Sequence, residues 1–373
     1  MKIKINKDPL NKALSFLLPG IPSKSIIMVD QQVLFSIRGE NCTLRISNPA
    51  CEMSAFVKVE SEGDVDFACP IHRIQRTVAN FPEGVVNITT KDNDLGFIGA
   101  IQMRAKGVRN TYKIACYTPE HFPQWSPQND SIVNITVPMR EFHDKMKITS
   151  LNIQANNPNT AFANITLFQN DQGGLSLLTG DNLIVGKMDL PAKIPKSFIV
   201  DKVLARLTAG MNFEGDCNIS IDESQLVLSH SGLALACKMV HKKVPGYQPL
   251  FDNEPEDKFT ITKDEIMKSL TRVAAYNDDT NRVKLEIIEG NSLRIYAYDG
   301  NNEAEEIIEI LNEKNLELNV NMSHVLLRQA MSAVKADTIE MGMSKGRQQV
   351  FLTPAGGNKE NQTWMFAPFG DKG

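Results

Sequence analysis

Phe259-Thr260-Ile261-Thr262 runs directly into Lys263-Asp264-Glu265-Ile266-Met267-Lys268-Ser269-Leu270-Thr271-Arg272-Val273. The first four residues alternate with the period of a strand. The next eleven place Ile266, Leu270 and Val273 on one side of a three-turn helix. Asp264 falls in the first turn, where the helix dipole favours an acid. Downstream, Val283-Lys284-Leu285-Glu286-Ile287, a turn at Glu289-Gly290-Asn291 and Leu293-Arg294-Ile295-Tyr296 alternate again as an antiparallel hairpin. The module is a strand, a helix with one apolar face, and a meander.

Working outward, the module recurs six times. Its opening strands are Ile3–Asn6, Val65–Phe67, Val133–Thr136, Phe198–Val200, Phe259–Thr262 and Leu316–Asn319, each 57 to 68 residues after the last when counted between Ile5, Phe67, Ile135, Phe198, Ile261 and Leu318. The helices after them repeat the one-sided pattern. Leu10, Leu14 and Leu17 form the first stripe, Ile71, Ile74 and Val78 the second, Phe142 and Met146 the third, and Leu326 or Leu327 with Ala330 and Val334 the last. The period exceeds that of solenoid repeats and is about half a domain. Six modules therefore predict an α+β protein of three similar domains, each of two modules. Proline-rich polar stretches at 121–127 and 245–255 mark the boundaries, giving domains at 1–131, 132–256 and 257–373.

Composition excludes several classes. The chain has 373 residues, 42% hydrophobic and 23% charged, which is ordinary for a globular protein. No apolar run approaches the roughly 20 residues of a membrane helix. Ala13-Leu14-Ser15-Phe16-Leu17-Leu18 follows the N-terminal lysines, but it matches the helix of the module better than a signal peptide. Six cysteines without a CxxC pair suit neither a zinc site nor a disulfide framework, and are expected to be reduced, buried thiols in the cytoplasm.

Charge is unevenly distributed. The helical stretches 8–18, 70–80, 138–148, 200–210, 263–273 and 322–335 carry 13 basic and six acidic residues in a chain of net −4. Lys and Arg are good helix formers and belong on solvated faces in any case. Concentrated on six equivalent helices, they also make a surface suited to phosphates, with contact independent of sequence. If the helices lined a ring at about 10 Å each, six would leave a lumen of about 10 Å and twelve nearly 30 Å. A B-DNA major groove alone is about 12 Å wide, so twelve helices from two chains fit a duplex and six do not.

Short motifs add a resemblance over the whole chain. Met1-Lys2-Ile3, Phe81-Pro82-Glu83-Gly84, His121-Phe122-Pro123, Thr179-Gly180-Asp181, Val244-Pro245-Gly246-Tyr247, Asn302-Glu303-Ala304-Glu305-Glu306-Ile307, Asn321-Met322-Ser323 and Met365-Phe366-Ala367-Pro368-Phe369 are similar, in order and spacing, to segments of the bacterial DNA polymerase III β subunit, the sliding clamp family. The resemblance implies a clamp fold closing as a head-to-tail dimeric ring. Helices would line its lumen, which would encircle duplex DNA without reading its sequence. It implies a replicative polymerase and a clamp loader as partners, a cytoplasmic, nucleoid-associated location, no cofactor and no catalysis.

Carried over by position and helix charge, the DNA face comprises Lys12, Lys24, His72, Arg73, Arg76, Lys145, Asn157, Phe162, Lys202, Arg206, Lys268, Arg272 and Arg328. The partner-peptide pocket comprises Ala163, Thr179, Leu183, Pro245, Pro249, Leu250, Asn321, His324, Met365, Ala367, Pro368 and Phe369. The ring joint pairs the surroundings of Arg109 and Tyr112 with those of Tyr276, Glu303, Glu305 and Glu306. The pocket departs from the family where Asp181 is followed by Asn182 and where the chain ends Gly370-Asp371-Lys372-Gly373.

Enzymatic readings find little support. The six histidines form no HxxxH pair, and GxSxG, P-loop and GxGxxG patterns are absent. Ser229-His230-Ser231 reads as a hairpin turn, and Asp92, Asp94 and Asp181 as isolated turn acids. The alternatives are a clamp-fold scaffold that binds only proteins and an enzyme of unrecognised type.

Overall fold

The computed structural model describes the chain apart from residues 23–24, 94–97, 124–129, 154–160, 209–210, 212–213, 278–279, 345, 347–348, 357–361 and 371–373, and the side chain of His121. Six strand–helix–meander modules account for the described elements. They are β1 (Lys2–Asn6), α1 (Lys7–Leu17), β2 (Gln32–Arg38), β3 (Asn41–Ser47) and β4 (Cys51–Ser61); then β5 (Val65–Pro70), α2 (Ile71–Ala79), β6 (Val85–Asp92), β7 (Ile98–Ala105) and β8 (Tyr112–Ala115). The third and fourth are β9 (Val133–Pro138), α3 (Met139–Leu151), β10 (Ile165–Gln169), β11 (Gly174–Gly180) and β12 (Ile184–Lys193), then β13 (Phe198–Val200), α4 (Val203–Thr208), β14 (Asp216–Ile221), β15 (Gln225–His230) and β16 (Leu233–Lys238). A short α5 (Gln248–Phe251) precedes β17 (Phe259–Thr262), α6 (Lys263–Val273), β18 (Arg282–Ile288), β19 (Ser292–Tyr298) and β20 (Glu303–Glu309). The last module is β21 (Asn319–Ser323), α7 (His324–Ala333), β22 (Thr338–Met343), β23 (Val350–Pro354) and β24 (Gln362–Phe366).

Neighbouring modules exchange their first strands. β1 pairs with β6 and β5 with β2; β9 pairs with β14 and β13 with β10; β17 pairs with β22 and β21 with β18, all antiparallel. A strand that leads directly into its own helix thus completes the meander of its neighbour, so neither module closes its core alone. The resulting sheets have twelve, eight and four strands.

The chain forms two compact units, residues 1–143 with 206–239 and residues 144–205 with 240–373. The first contains the twelve-stranded sheet. Ile3 and Ile5, on one face of β1, and Leu10 and Leu14 of α1 are all at most 1% exposed. Phe35 and Phe67 stack at 4.8 Å between ring centroids. The second unit contains the other two sheets. Trp364 is fully buried in β24, which lies inside the eight-stranded sheet between β12 and β23.

One anchor strand falls later than its alternation predicts: β21 begins at Asn319, not at Leu316. The Asn312 amide explains the shift. Its Nδ2 donates to the Leu316 carbonyl at 3.0 Å and its Oδ1 accepts from Leu316 N–H at 2.9 Å, with Asn315 at φ 49°. Leu316 is held in a turn and cannot join a ladder.

Candidate functional site

Three surfaces carry the residues singled out by sequence. The first is cationic. In the first unit α1 packs beside α2, and Lys12, His72, Arg73 and Arg76 are exposed there. Arg140 and Lys147 of α3 are also exposed. None of Lys12, Arg73, Arg76, Arg140 or Lys147 makes an ion pair among the described residues. Arg206 is exposed and donates through Nη1 to the Pro19 carbonyl.

Other cations of the expected face are already engaged. Lys268 pairs with Asp264 at 2.6 Å along one helix face. Arg272 grips Glu306 of β20 through Nε and Nη2, both at 2.5 Å. Hydrogen bonding to that guanidinium holds the Glu306 carboxyl below its ordinary value. Lys335, a cation outside that set, pairs with Asp144 at 2.7 Å.

Lys145 is not on a solvated face at all. It is 6% exposed and its ammonium donates to the Asp189 carbonyl. Phe142 and Thr149, three residues before and four after, are buried on the same side of α3, which was the available signal. Phe162 packs against Tyr247 at 6.5 Å instead of facing solvent. Lys202 and Arg328 are half-buried, and Lys24 and Asn157 lie outside the described residues.

The second surface lies in the second unit. Phe168, Leu178, Val185, Tyr247, Phe351 and Met365 form a buried apolar cluster, with Phe162, Val244, Leu250 and Phe251 partly buried against it. Local turns bring these segments together. Gly180 adopts φ 150° where a Cβ would stand 2.0 Å from the Ile184 carbonyl, so only glycine fits the β11–β12 connection. Asp181 Oδ1 closes that turn by accepting from Leu183 N–H at 2.8 Å and Ile184 N–H at 3.1 Å. Tyr247 N–H donates to the Pro245 carbonyl at 2.9 Å and starts the turn that carries Pro249 and Leu250.

The segment after β24 is pinned at both ends. Ala367 N–H donates to the Leu183 carbonyl at 3.0 Å, and Phe369 N–H to the Asn321 carbonyl at 2.8 Å. The Arg282 guanidinium lies 4.9 Å from the Phe369 ring centroid. Leu183 and Pro249 are exposed, while Pro245, Leu250, Asn321, Ala367, Pro368 and Phe369 are half-buried. Ala163, Thr179, His324 and Met365 are buried beneath them, with Thr179 Oγ1 donating to the Thr149 carbonyl at 2.9 Å. Burial, and then the charge of Arg328, hold His324 below the usual histidine value. The twelve pocket residues of the sequence reading thus fall in one compact unit, on segments tied to one another by these bonds. Sequence reasoning missed Tyr247 as the buttress and Arg282 as the lid over Phe369.

The third feature is a pair of sheet edges. The last strands of the modules join the sheets: β4 pairs with β16 and β12 with β24, each antiparallel. By module number the first joins the fourth and the third joins the sixth. The last strands of the second and fifth modules, β8 and β20, end their sheets with one edge unpaired among the described residues. Tyr112 on β8 is 39% exposed, with its ring edge-on to Phe81, and Ile307 on β20 is 55% exposed. Arg109, three residues before β8, and Tyr276, in the turn after α6, are exposed. The β20 acids are engaged on their own sheet or helix. Glu305 meets Arg294 at 2.5 Å, Glu303 accepts from Tyr296 Oη at 3.0 Å, and Glu306 is held by Arg272.

The tempting catalytic fragments resolve as turns. Ser231 at φ 45° and Gly232 at φ 81° form the two-residue link between β15 and β16, and His230 Nδ1 meets the Asp216 carbonyl at 2.8 Å. Among the described residues no group of three His, Cys, Asp or Glu is placed to hold a metal, and no helix is long and apolar enough to cross a membrane.

Strand-swapped modules joined through their last strands define the β-clamp fold, an α+β architecture of three antiparallel sheets. Solved structures agree. DNA polymerase III subunit beta from Pseudomonas aeruginosa superposes with a TM-score of 0.88 at 15% identity, over 99% of this chain and 100% of that one. The beta subunit from Thermotoga maritima gives 0.85 at 16% identity, over 99% of each chain. In sequence, the chain is 20% identical over 403 residues to the beta sliding clamp of Synechocystis sp., covering 99% of both. Residues 248–367 match the family model for the DNA polymerase III beta subunit, C-terminal domain. The chain is a divergent member of the DNA polymerase III beta sliding clamp family.

Proposed function

We propose that two copies of the chain join head to tail into a ring that encircles duplex DNA and tethers a replicative polymerase. The observation that carries this reading is the joining rule of the last strands. First joins fourth and third joins sixth, so the fifth module of one copy takes the second module of the next, and β20 pairs with β8. The same contact made twice closes a ring of two chains and leaves no module's last strand with an open edge. The exchange of first strands supports a division into three two-module domains, at 1–131, 132–256 and 257–373.

Twelve helices would then surround the duplex. Lys12, Arg73, Arg76, Arg140 and Lys147 supply mobile phosphate contacts, and Arg206, Lys202 and Arg328 add to them. Lys268 and Arg272 add little, because their charge is balanced locally. The Tyr247-buttressed surface takes an apolar peptide of the polymerase or of the clamp loader. The chain performs no chemistry, needs no cofactor, and works in the cytoplasm on the nucleoid.

Ile307→Lys tests the joint. The substitution puts a charge on an exposed edge position and leaves the core untouched. The wild-type chain should sediment as two copies and the variant as one. A wild-type monomer at micromolar concentration, or an unaffected variant dimer, overturns the β8–β20 joint.

A further inference from the structure

Four of the six cysteines stand opposite another cysteine across antiparallel strands. Cys51 faces Cys237 in the β4–β16 ladder. The second pair follows from a backbone exchange: Ala68 N–H donates to the Tyr117 carbonyl at 3.4 Å, and Tyr117 N–H to the Ala68 carbonyl at 2.8 Å. Ala68 and Tyr117 are therefore a hydrogen-bonded pair, and the next pair in register, Cys69 with Cys116, is a non-hydrogen-bonded one. The Cys116 N–H agrees, turning the other way to the Gly99 carbonyl at 2.9 Å. At such positions opposed Cα atoms lie about 4.5 Å apart with both side chains on one face of the sheet. That separation falls within the roughly 4.4–6.8 Å that a disulfide spans. Cys51, Cys69 and Cys237 are buried; Cys116 is partly exposed.

We infer that Cys69 and Cys116 form a dithiol site that a small external disulfide converts into an intramolecular cross-link. The Cys116 thiolate attacks one sulfur of the oxidant, and the oxidant's other half leaves as a thiolate. Cys69 then gives up its proton and displaces the remaining half from Cys116. The protein loses two protons and two electrons, and the oxidant is reduced to two thiols. The Cys51–Cys237 pair has the same register but no exposed sulfur at which the exchange can begin. Burial pushes the Cys116 thiol up to about 12, so the site is a slow latch. Its rate should rise about tenfold per pH unit between pH 7 and 9, with the thiolate fraction. Because Cys116 directly follows β8, the bond ties that edge strand to β5. This inference is independent of the ring.

The test uses the full chain with oxidised glutathione, alkylation of remaining thiols and peptide mapping. The expected product is one Cys69–Cys116 cross-link within a single chain, with Cys51 and Cys237 still alkylated after unfolding. Cys69→Ser should accumulate a stable glutathione adduct on Cys116, and Cys116→Ser should not react. A wild-type chain that stops at the mixed disulfide, or that cross-links other cysteines, overturns the assignment.

Discussion

Arg73 and Arg76 stand one turn apart on α2, exposed and without an acidic partner among the described residues, whereas Lys268 and Arg272 on α6 are each matched by a carboxylate. This difference makes a quantitative prediction. Each phosphate neutralised by a protein cation contributes about −0.9 to the slope of log affinity against log salt for B-DNA. Arg73→Ala with Arg76→Ala removes two contacts per chain and four per ring, and should reduce the magnitude of the slope by about 3.6. Equivalently, the affinity that wild type loses between 50 and 200 mM salt should exceed the variant's loss by about 150-fold. Deleting whole pairs, Lys268→Ala with Asp264→Ala or Arg272→Ala with Glu306→Ala, leaves the net charge unchanged and should leave the slope within error. Fluorescence anisotropy on a short linear duplex, titrated with salt, measures all of these. A folded Arg73/Arg76 variant with the wild-type slope, or pair deletions that lower it as far, would refute the charge assignment.

Other predictions concern the pocket and the fold. Gly180→Ala forces a Cβ toward the Ile184 carbonyl at a φ that side chains avoid, and should cost about 3 kcal/mol in denaturant unfolding. His324 has a folded pKa below its ordinary 6.5, so the unfolded chain takes up its proton first. Stability should therefore be full above pH 6.5 and fall as the pH drops through the folded value, and His324→Gln should flatten that part of the profile. Leu183→Lys should abolish polymerase binding at unchanged thermal stability, because that side chain is exposed at the pocket. Truncation before Trp364 is a poor substitute for that experiment. It removes β24 from between β12 and β23 and should unfold the eight-stranded sheet.

The modules were legible because each helix stripe and each meander is set by near neighbours in the chain. The one displaced anchor, at β21, failed where the Asn312 side chain outcompeted the ladder for the Leu316 backbone. Strand alternation fixes which residues face the core but not which strand lies alongside. The exchange of first strands and the β4–β16 and β12–β24 joins were therefore invisible before the structure. Counting helix charges overstated the cationic face for the same reason: Glu306 is 34 residues from the Arg272 it neutralises. The pocket was readable as a set of segments, since Gly180, Asp181, Pro245 and Phe369 are turn and strand-end residues. Its buttress, Tyr247, has no sequence signal for that role, because only packing against Phe168 at 6.1 Å reveals it.

The central claim is topological, and retention on a nicked circular duplex tests it most directly. After loading, the protein should remain on the circle through gel filtration in moderate salt and be lost when the same circle is cut once. Equal retention on circular and linear DNA would mean that the chain holds the duplex by affinity and not by encirclement, and would contradict the ring.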